Sequence, residues 1–403
     1  ELHTRHETAP IHVSHLFDEL QNFFEYHSRE EGDYERRLRL TAEIRLAPQW
    51  RRARSIWEPL REALTSIELW LSQFYSLIDE SPHPQLPDYD NLMAGLSSSI
   101  YTHTKLLQQI DSVISQPCPD EIYWLSIGRQ EQDVSLHAAP LHVGRALQES
   151  LFSHKDCVVL TGATLSTEGN FDYIKWQLEM EETDTLSIGS PFDYQKLAML
   201  YIPSDMAEPA KHGRQKALAE ALIALCLATG GKTLVLFTSH SALRAPYASI
   251  QEPLAEDDIL VLGQGIDGSP KNLLDTLKNN PRTALLGASS MWEGIDVVGP
   301  ALSTLVITRL PFGVPTDPIS SARSELFSDA FTQYTLPQAI LKFRQGFGRL
   351  IRSKTDRGVA VVLDPRVRSK YYGSAFLESL PPCTIKSGPL RDMPGEVISW
   401  LEG

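Results

Sequence analysis

The chain has 403 residues, which is enough for two or three domains at roughly 150 residues each. Its 37 basic and 51 acidic residues give a net charge of −14, which excludes a global field that attracts nucleic acid, so any such contact requires a local basic groove. The four cysteines lack Cys-x-x-Cys spacing, which argues against zinc and iron–sulfur sites on this chain and favours a reducing, cytoplasmic setting.

The first residues contain several histidines and no targeting signal. His3, His6, His12 and His15 could bind a metal, but their spacing and terminal position favour a solvated segment, and we expect no metal site. Because the chain begins with Glu rather than Met, we expect a piece of a longer protein. The longest apolar run, 217–228, is too short for a membrane span of roughly 20 residues.

Residues 11–115 have helical periodicity and few strand signals. An apolar stripe of four residues predicts a first helix, made by Leu16, Leu20, Phe23 and Phe24. A second amphipathic pattern covers 55–78, and the proline-rich stretch 79–90 predicts a loop. We therefore predict an all-helical domain at 1–117, which alone indicates a helical bundle without chemistry.

After Cys118, short β-type runs alternate with helical segments. The predicted strands are 157–160, 233–238, 258–262, 283–287, 304–308 and 358–363. The predicted helices are 211–229, 240–250, 270–280, 321–333 and 337–352. This alternation predicts a parallel sheet covered by helices on both faces, in which ligands bind beyond the carboxyl ends of the strands.

The tripeptide Gly231-Lys232-Thr233 invites comparison with an ATP phosphate loop. Such a loop requires G-x-x-x-x-G-K-[ST] between a strand and a following helix, but Cys226 occupies the first glycine position. The order is also reversed, because an amphipathic helix precedes the glycines and a strand follows them. We therefore interpret Gly230 and Gly231 as a helix C-cap and expect no phosphate loop on this chain.

Residues 336–366 carry the strongest functional signal. A stripe of polar side chains runs along the predicted helix and consists of Gln338, Lys342, Gln345, Arg349 and Arg352. Gly346 and Gly348 are expected inside the helix at a cost of about 1 kcal/mol each, which a close approach by another group would explain. Arginine provides a planar fork suited to phosphate. The alternative interpretation is an ordinary amphipathic surface helix.

The sequence "QGFGRLIRS" followed by "DRGVAVVLDPR" resembles motif VI of the DinG/XPD group of superfamily 2 helicases, Q-x-x-G-R-x-I-R. Further stretches are similar to that family's motifs in the same order: 160–166 to motif III (with Gly162 at the usual serine), 234–243 to motif IV, 289–319 to motif V, and 189–194 to the linker between motor domains. The resemblance covers 118–370 and implies a RecA-like fold.

The resemblance also implies roles for particular residues. Arg349 and Arg352 would be arginine fingers at the γ-phosphate of ATP, which Gln345 would orient. Residues that couple the nucleotide to DNA movement would be Glu293, Gly294, Asp296 and Gly348. DNA contacts would come from Thr238, Ser239, Thr161, Thr164 and Trp292. Trp292 could stack on a base or equally be a core residue.

The same resemblance divides the chain into 1–117 as a helical arch, 118–190 as the return of the chain to a first motor domain, and 191–403 as the second RecA-like motor domain. ATP and Mg²⁺ would be held mainly by the first motor domain, whose phosphate loop would lie upstream of Glu1 together with any iron–sulfur insertion.

The function implied is the C-terminal part of an ATP-dependent DNA helicase that moves 5′ to 3′ on single-stranded DNA and is inactive as this chain alone. One alternative is a non-catalytic RecA-like module that binds nucleic acid or a partner. A hydrolase of another chemistry is disfavoured, because we find neither a Ser-His-Asp elbow nor a metal cluster.

Overall fold

The structure, a computed structural model, describes residues 2–28, 36–80, 88–128, 134–167, 169–209, 211, 213–292 and 302–403, with the backbone alone at 2–11 and 289. The chain forms two compact units. Unit 1 contains Glu1–Glu149 and Val314–Leu326, and unit 2 contains Ser150–Gly313 and Phe327–Gly403. The predicted domain boundaries at 117 and 190 stay predictions.

The described residues form strands and helices in the following order. The strands are β1 (Arg36–Arg39), β2 (Glu121–Ile127), β3 (Val134–Pro140), β4 (Ala198–Pro203), β5 (Thr233–Leu236), β6 (Leu260–Gly263), β7 (Thr283–Gly287), β8 (Thr304–Ile307), β9 (Gly358–Val362) and β10 (Thr384–Gly388). The helices are α1 (Leu2–His27), α2 (Pro48–Asp79), α3 (Tyr89–Ile114), α4 (Val143–Ser150), α5 (Asp172–Leu178), α6 (Tyr194–Leu197), α7 (Arg214–Thr229), α8 (His240–Ala255), α9 (Pro270–Asn279), α10 (Pro318–Ser324), α11 (Leu336–Phe347), α12 (Arg366–Ser369), α13 (Gly373–Glu378) and α14 (Met393–Glu402).

Unit 1 combines α1, α2 and α3 with a three-stranded antiparallel sheet of order β1-β2-β3. The predicted apolar stripe of α1 is buried in its core, as is Trp57 of α2. The Trp57 Nε1 donates to Asp111 Oδ1 of α3 at 2.9 Å, which fixes the base of the α2–α3 pair. The predicted N-terminal helical region is confirmed, and the structure adds the short strand β1 to it.

Helix α10 belongs to unit 1 although its sequence lies between β8 and α11. Ala322 packs against Ile122 and Trp124 of β2. At the edge of the sheet, Arg39 of β1 pairs with Glu325 at 2.5 Å, and its guanidinium lowers the pKa of that carboxyl. Segment 314–326 is thus fixed to the small antiparallel sheet by apolar and ionic contacts.

Unit 2 is built on a seven-stranded sheet of order β10-β4-β9-β8-β5-β7-β6, in which every pair is parallel. Helices α9, α11 and α13 cover one face and α7, α8 and α14 the other. The central strands are apolar and buried along their whole length, as expected for strands covered on both sides. The predicted parallel α/β sheet is confirmed.

Some predicted elements of unit 2 differ from the structure. Residues 157–160 are not a strand, because among the described residues no backbone hydrogen bond joins them to a neighbouring strand. The prediction omitted β4 and the edge strand β10. In place of the helix predicted at 321–333, the chain forms α10 and a separate π-helical turn at Phe331–Thr335.

The predicted helix stop before β5 is confirmed. Gly230 caps α7 at φ 64°, and the N–H of Gly231 donates to Cys226 O at 3.0 Å. Gly231 has φ 88°, and a Cβ atom there would lie 2.5 Å from Thr283 N of β7. The Gly-Lys-Thr tripeptide is therefore a tightly packed connection from helix to strand, not a loop open to phosphate.

Helix α11 ends five residues earlier than predicted. It stops at Phe347, and Gly348 is its C-cap residue instead of an interior one. Gly346 does lie within the helix, where a Cβ atom would come within 3.2 Å of the Trp292 ring. The close approach that we expected at this glycine is thus made by an indole from the same unit.

Candidate functional site

The carboxyl ends of the central strands converge on a buried carboxylate. Asp364 follows β9 and is completely buried. It accepts a hydrogen bond from Leu310 N at 2.9 Å and pairs with Arg366 at 2.6 Å. Although burial pushes the pKa of Asp364 upward, the hydrogen bonds and charge of Arg366 and the Leu310 N–H hold it below its usual value. The carboxylate therefore fixes the connections after β8 and β9 to each other.

A second buried charge stabilises the same edge. Arg214, the first residue of α7, donates from Nη2 to Thr308 O at 2.7 Å and to Leu363 O at 3.1 Å, and from Nη1 to Ala207 O. Burial lowers the pKa of Arg214, and the charge of Asp364 opposes that shift. Arg214 was not predicted as a site residue, since a single arginine at a helix start has no motif to mark it.

The C-terminal end of α11 positions the residues expected to meet a nucleotide. Gln345 is half-buried in the last turn of the helix, Arg349 is 4 % exposed, and Arg352 is exposed. Because the helix ends at Phe347, the predicted polar stripe is interrupted, and both arginines lie on the loop that follows. This loop, rather than a helix face, presents them.

Asp356 shapes that loop. Its carboxylate accepts from the backbone N–H of Arg352 at 2.7 Å and from that of Ser353 at 2.8 Å, and its other oxygen accepts from Ser353 Oγ at 2.8 Å. Burial tends to raise the pKa of Asp356, but these hydrogen bonds lower it overall. The backbone that carries Arg352 is thus held in place while the side chain stays exposed.

Arg344 ties the segment 160–166 to α11. Its Nη1 donates to Ser166 O and its Nη2 to Ala163 O at 3.0 Å, so one guanidinium holds two carbonyl groups of that segment. Burial lowers the pKa of Arg344. Arg344 was not among the residues predicted for the site. In the structure it brings the motif III-like and motif VI-like stretches together.

Residues 288–292, which lead into the motif V-like loop, are hydrogen-bonded to residues at the ends of β5 and β6. Gln264 accepts from Ala288 N at 2.8 Å and donates to Ser290 Oγ at 2.7 Å. Trp292 is fully buried, and its Nε1 donates to Phe237 O at 2.7 Å. Of the two alternatives for Trp292, the structure favours the core residue. Glu293, Gly294 and Asp296 lie outside the described residues.

The residues expected to contact DNA occupy two separate places. Thr238 and Ser239 follow β5 and are half-buried, and Ser239 Oγ caps α8 by accepting from Ala242 N at 3.2 Å. Thr161 is exposed and Thr164 half-buried on the segment that Arg344 holds. The cap explains the conformation of Ser239 without any ligand, and none of the described contacts assigns it one.

Among the described residues, no group of three or more His, Cys, Asp or Glu side chains is placed to hold a metal ion, and the side chains of His3 and His6 lie outside that set. Within the same residues, no helix is long and apolar enough to cross a membrane.

A parallel sheet covered by helices on both faces, with a Gln/Arg-bearing helix end in the connection that leads into β9, defines the class of the motor domains of helicases. Residues 222–383 match the family of the helicase C-terminal domain. A solved XPD helicase structure aligns with a TM-score of 0.50 at 16% identity, covering 75% of this chain and 56% of that one, which shows a RecA-like fold.

Several curated proteins are similar in sequence. The chain is 34% identical to the 3′-5′ exonuclease DinG of Bacillus subtilis over 74% of this chain and 32% of that protein. It is 37% identical to the ATP-dependent helicase DinG of Mycobacterium tuberculosis over 66% and 41%, and 33% identical to the ATP-dependent DNA helicase YoaA of Escherichia coli over 70% and 43%. The chain belongs to the DinG/XPD-type family of superfamily 2 helicases and contains its C-terminal domain. It spans less than half the length of these relatives.

Proposed function

We propose that this chain is the second motor half of an ATP-dependent DNA helicase that couples ATP hydrolysis to 5′-to-3′ movement along single-stranded DNA. The observation that carries the proposal is the end of α11, where Gln345 lies in the last helical turn and Arg349 and Arg352 follow on a loop fixed by Asp356. Guanidinium groups aimed at a transferring phosphoryl group stabilise transition-state charge and contribute a factor of about 10³–10⁵ in rate. Arg352 is the more accessible of the two arginines.

ATP and Mg²⁺ would be held mainly by a first motor domain of the same protein. Two extended segments support such a partner, 157–160 and 184–190. Val159 and Ile188 are each 81% exposed, and among the described residues no backbone hydrogen bond joins either segment to a strand. Apolar segments with unpaired backbone groups are suited to add to the edge of another sheet. These segments support the assignment of 118–190 to the first motor domain, which the resemblance implies and which for β2 and β3 rests on the resemblance alone.

The DNA contacts proposed here come from two places, Thr238 with Ser239 after β5, and Thr161 with Thr164 on the segment held by Arg344. Hydroxyl groups of this kind bind phosphate oxygens and position a strand without reading its sequence. Glu293, Gly294 and Asp296 would couple these contacts to the nucleotide, together with Gly348. The expected cytoplasmic location stays a prediction.

The test compares this chain with a longer protein that contains the first motor domain. We expect DNA-stimulated ATP hydrolysis from the longer protein and none from this chain. In the longer protein, Arg349→Ala should reduce turnover by about 10³-fold with little change in ATP affinity, because a finger acts in the transition state. Lys354→Ala, on the same loop but outside the stripe, is the matched control. Unchanged turnover in Arg349→Ala would show that this residue is not an arginine finger. A longer protein without ATPase activity would favour the alternative interpretation, a non-catalytic RecA-like module that binds nucleic acid or a partner.

A further inference from the structure

The outer part of the α2–α3 hairpin is packed differently from its base. At the base, Trp57 and Leu60 of α2 are buried in the core of unit 1. Beyond Leu60, no side chain of α2 is fully buried. Leu69 is 59% exposed and Trp70 47%, and Phe74 and Leu77 are also exposed. We name these four residues the outer α2 face.

This face has both rigid anchors and a depression. Trp70 and Phe74 are one helical turn apart, and their rings stack with centroids 5.4 Å apart and planes 2° from parallel. A groove of about 470 Å³ lies beside them, bordered by Leu69, Ser72, Gln73, Ser76, Leu77 and Glu80. Contiguous exposed apolar patches of this kind mark interaction sites on soluble proteins. Aromatic anchors next to a groove are also typical of binding hot spots.

The charge around the face restricts what can bind there. Between Arg61 and Lys105 the sequence contains no lysine or arginine, whereas it contains six carboxylates: Glu62, Glu68, Asp79, Glu80, Asp88 and Asp90. All of them except Glu68 are exposed. A nucleic-acid strand would be repelled, because its affinity depends on neutralising phosphates with basic groups. A second copy of this chain would bring the same negative charges together.

We propose that the outer α2 face docks an amphipathic helix of another protein, with apolar side chains at i, i+4 and i+7 and with lysine or arginine on its flanks. The apolar positions match the spacing of Trp70, Phe74 and Leu77 along α2, and the groove beside these residues receives one of the three apolar side chains. The basic flanks complement the exposed carboxylates and set the orientation. This docking function is independent of the ATP site and adds a protein partner to the expected DNA.

The test uses this chain and two synthetic helical peptides of about 18 residues, or five turns, which share the same apolar anchors. One has lysine and arginine on its polar face and the other has glutamate. Fluorescence anisotropy should show that the basic peptide binds at least about tenfold more tightly than the acidic one. Trp70→Ala and Phe74→Ala should each lower the affinity of the chain for the basic peptide by about tenfold, because each removes an aromatic anchor and leaves every charge in place.

Leu46→Ser is the matched control, because Leu46 is also an exposed leucine of unit 1 but lies outside the outer α2 face. It should change the affinity by less than about twofold. Equal binding of the two peptides, or binding that Trp70→Ala leaves intact, would overturn the proposal. So would competition by a thymidine oligonucleotide, or self-association in sedimentation that Trp70→Ala abolishes, since these identify DNA or a second copy as the occupant.

Discussion

The strands of the seven-stranded sheet and the two segments 157–160 and 184–190 have similar β-type sequences and opposite structures. Val361 in β9 has a paired strand on each side and helices on both faces, so it is completely buried. Val159 and Ile188 have the same β-branched character but are almost fully exposed. Strand formation is therefore decided by the neighbours available to the backbone, since propensity in strands mostly reflects packing against them. The two regions should therefore respond differently to matched substitutions.

The largest difference should come from a glycine-to-alanine pair. Gly231 at the start of β5 and Gly169 in the exposed segment both have positive φ, 88° and 79°. A Cβ atom at Gly231 would meet Thr283 N at 2.5 Å, whereas at Gly169 it would meet nothing within 4 Å. Gly231→Ala should lower the free energy of unfolding by about 3 kcal/mol or more, and Gly169→Ala by only about 1 kcal/mol from backbone strain. Urea denaturation measures both, and equal losses would show that backbone strain alone decides.

The next effect concerns the buried carboxylate at the carboxyl edge of the sheet. Asp364→Asn removes the charge that pairs with Arg366 and should lower the free energy of unfolding by about 2 kcal/mol at pH 7, because that arginine is partly exposed. The folded-state pKa of Asp364 is lowered, so its stabilisation is present above the unfolded aspartate pKa of about 3.9 and is lost as the pH falls through the folded value.

The deficit of Asp364→Asn should therefore shrink between pH 5 and pH 3. Denaturation curves at several pH values measure it. As a control, Asp184→Asn on the exposed segment should have little effect at either pH, in keeping with substitutions away from buried features. A deficit of Asp364→Asn that stays constant with pH would show that the carboxylate contributes through shape and hydrogen bonding rather than charge.

The sheet was largely predictable because its signals are local. Buried strands of four or five apolar residues and the Gly230 stop are readable from neighbouring residues, although the equally apolar β4 was missed. The edge strand β10 was not readable in this way, since its alternating exposure gives a weaker pattern than a continuous apolar run. The run at 157–160 was predicted as a strand because a sequence pattern does not show whether a neighbouring strand is present.

The candidate site was predictable only in part. Motif spacing located Gln345, Arg349 and Arg352 near one helix end, but the early stop of α11 depends on Gly348 and on the turn fixed by Asp356. Arg214 and Arg344 escaped prediction because their partners are backbone carbonyl groups, which have no sequence signature. The structure was needed to show which arginines face the protein's own backbone.

A valine-to-threonine pair tests burial directly. Val361→Thr places a hydroxyl group in the centre of the sheet and should lower the free energy of unfolding by about 1.5 kcal/mol. Val159→Thr should change it by less than about 0.5 kcal/mol, because the side chain is exposed. Thermal denaturation of this chain compares the two. When a first motor domain is present, Val159→Thr should become costly as well, and a persistent lack of effect would contradict the proposed pairing of 157–160.

The smallest effect on stability should come from the residue that joins the two regions. Arg344→Lys keeps the positive charge but loses the planar fork that holds Ser166 O and Ala163 O together, so it should cost about 1 kcal/mol or less. The effect on local opening of the segment that Arg344 holds should be larger than the effect on global stability. Hydrogen exchange should show faster exchange of the amides at 163–167 while those of β5 and β9 stay protected, since loosely held segments open independently of the core. Lys354→Ala, an exposed basic residue near the same helix end, should leave both sets unchanged. Faster exchange in β5 as well would contradict this prediction. It would show that Arg344 stabilises the sheet itself and that contacts other than this guanidinium hold the segment 157–190.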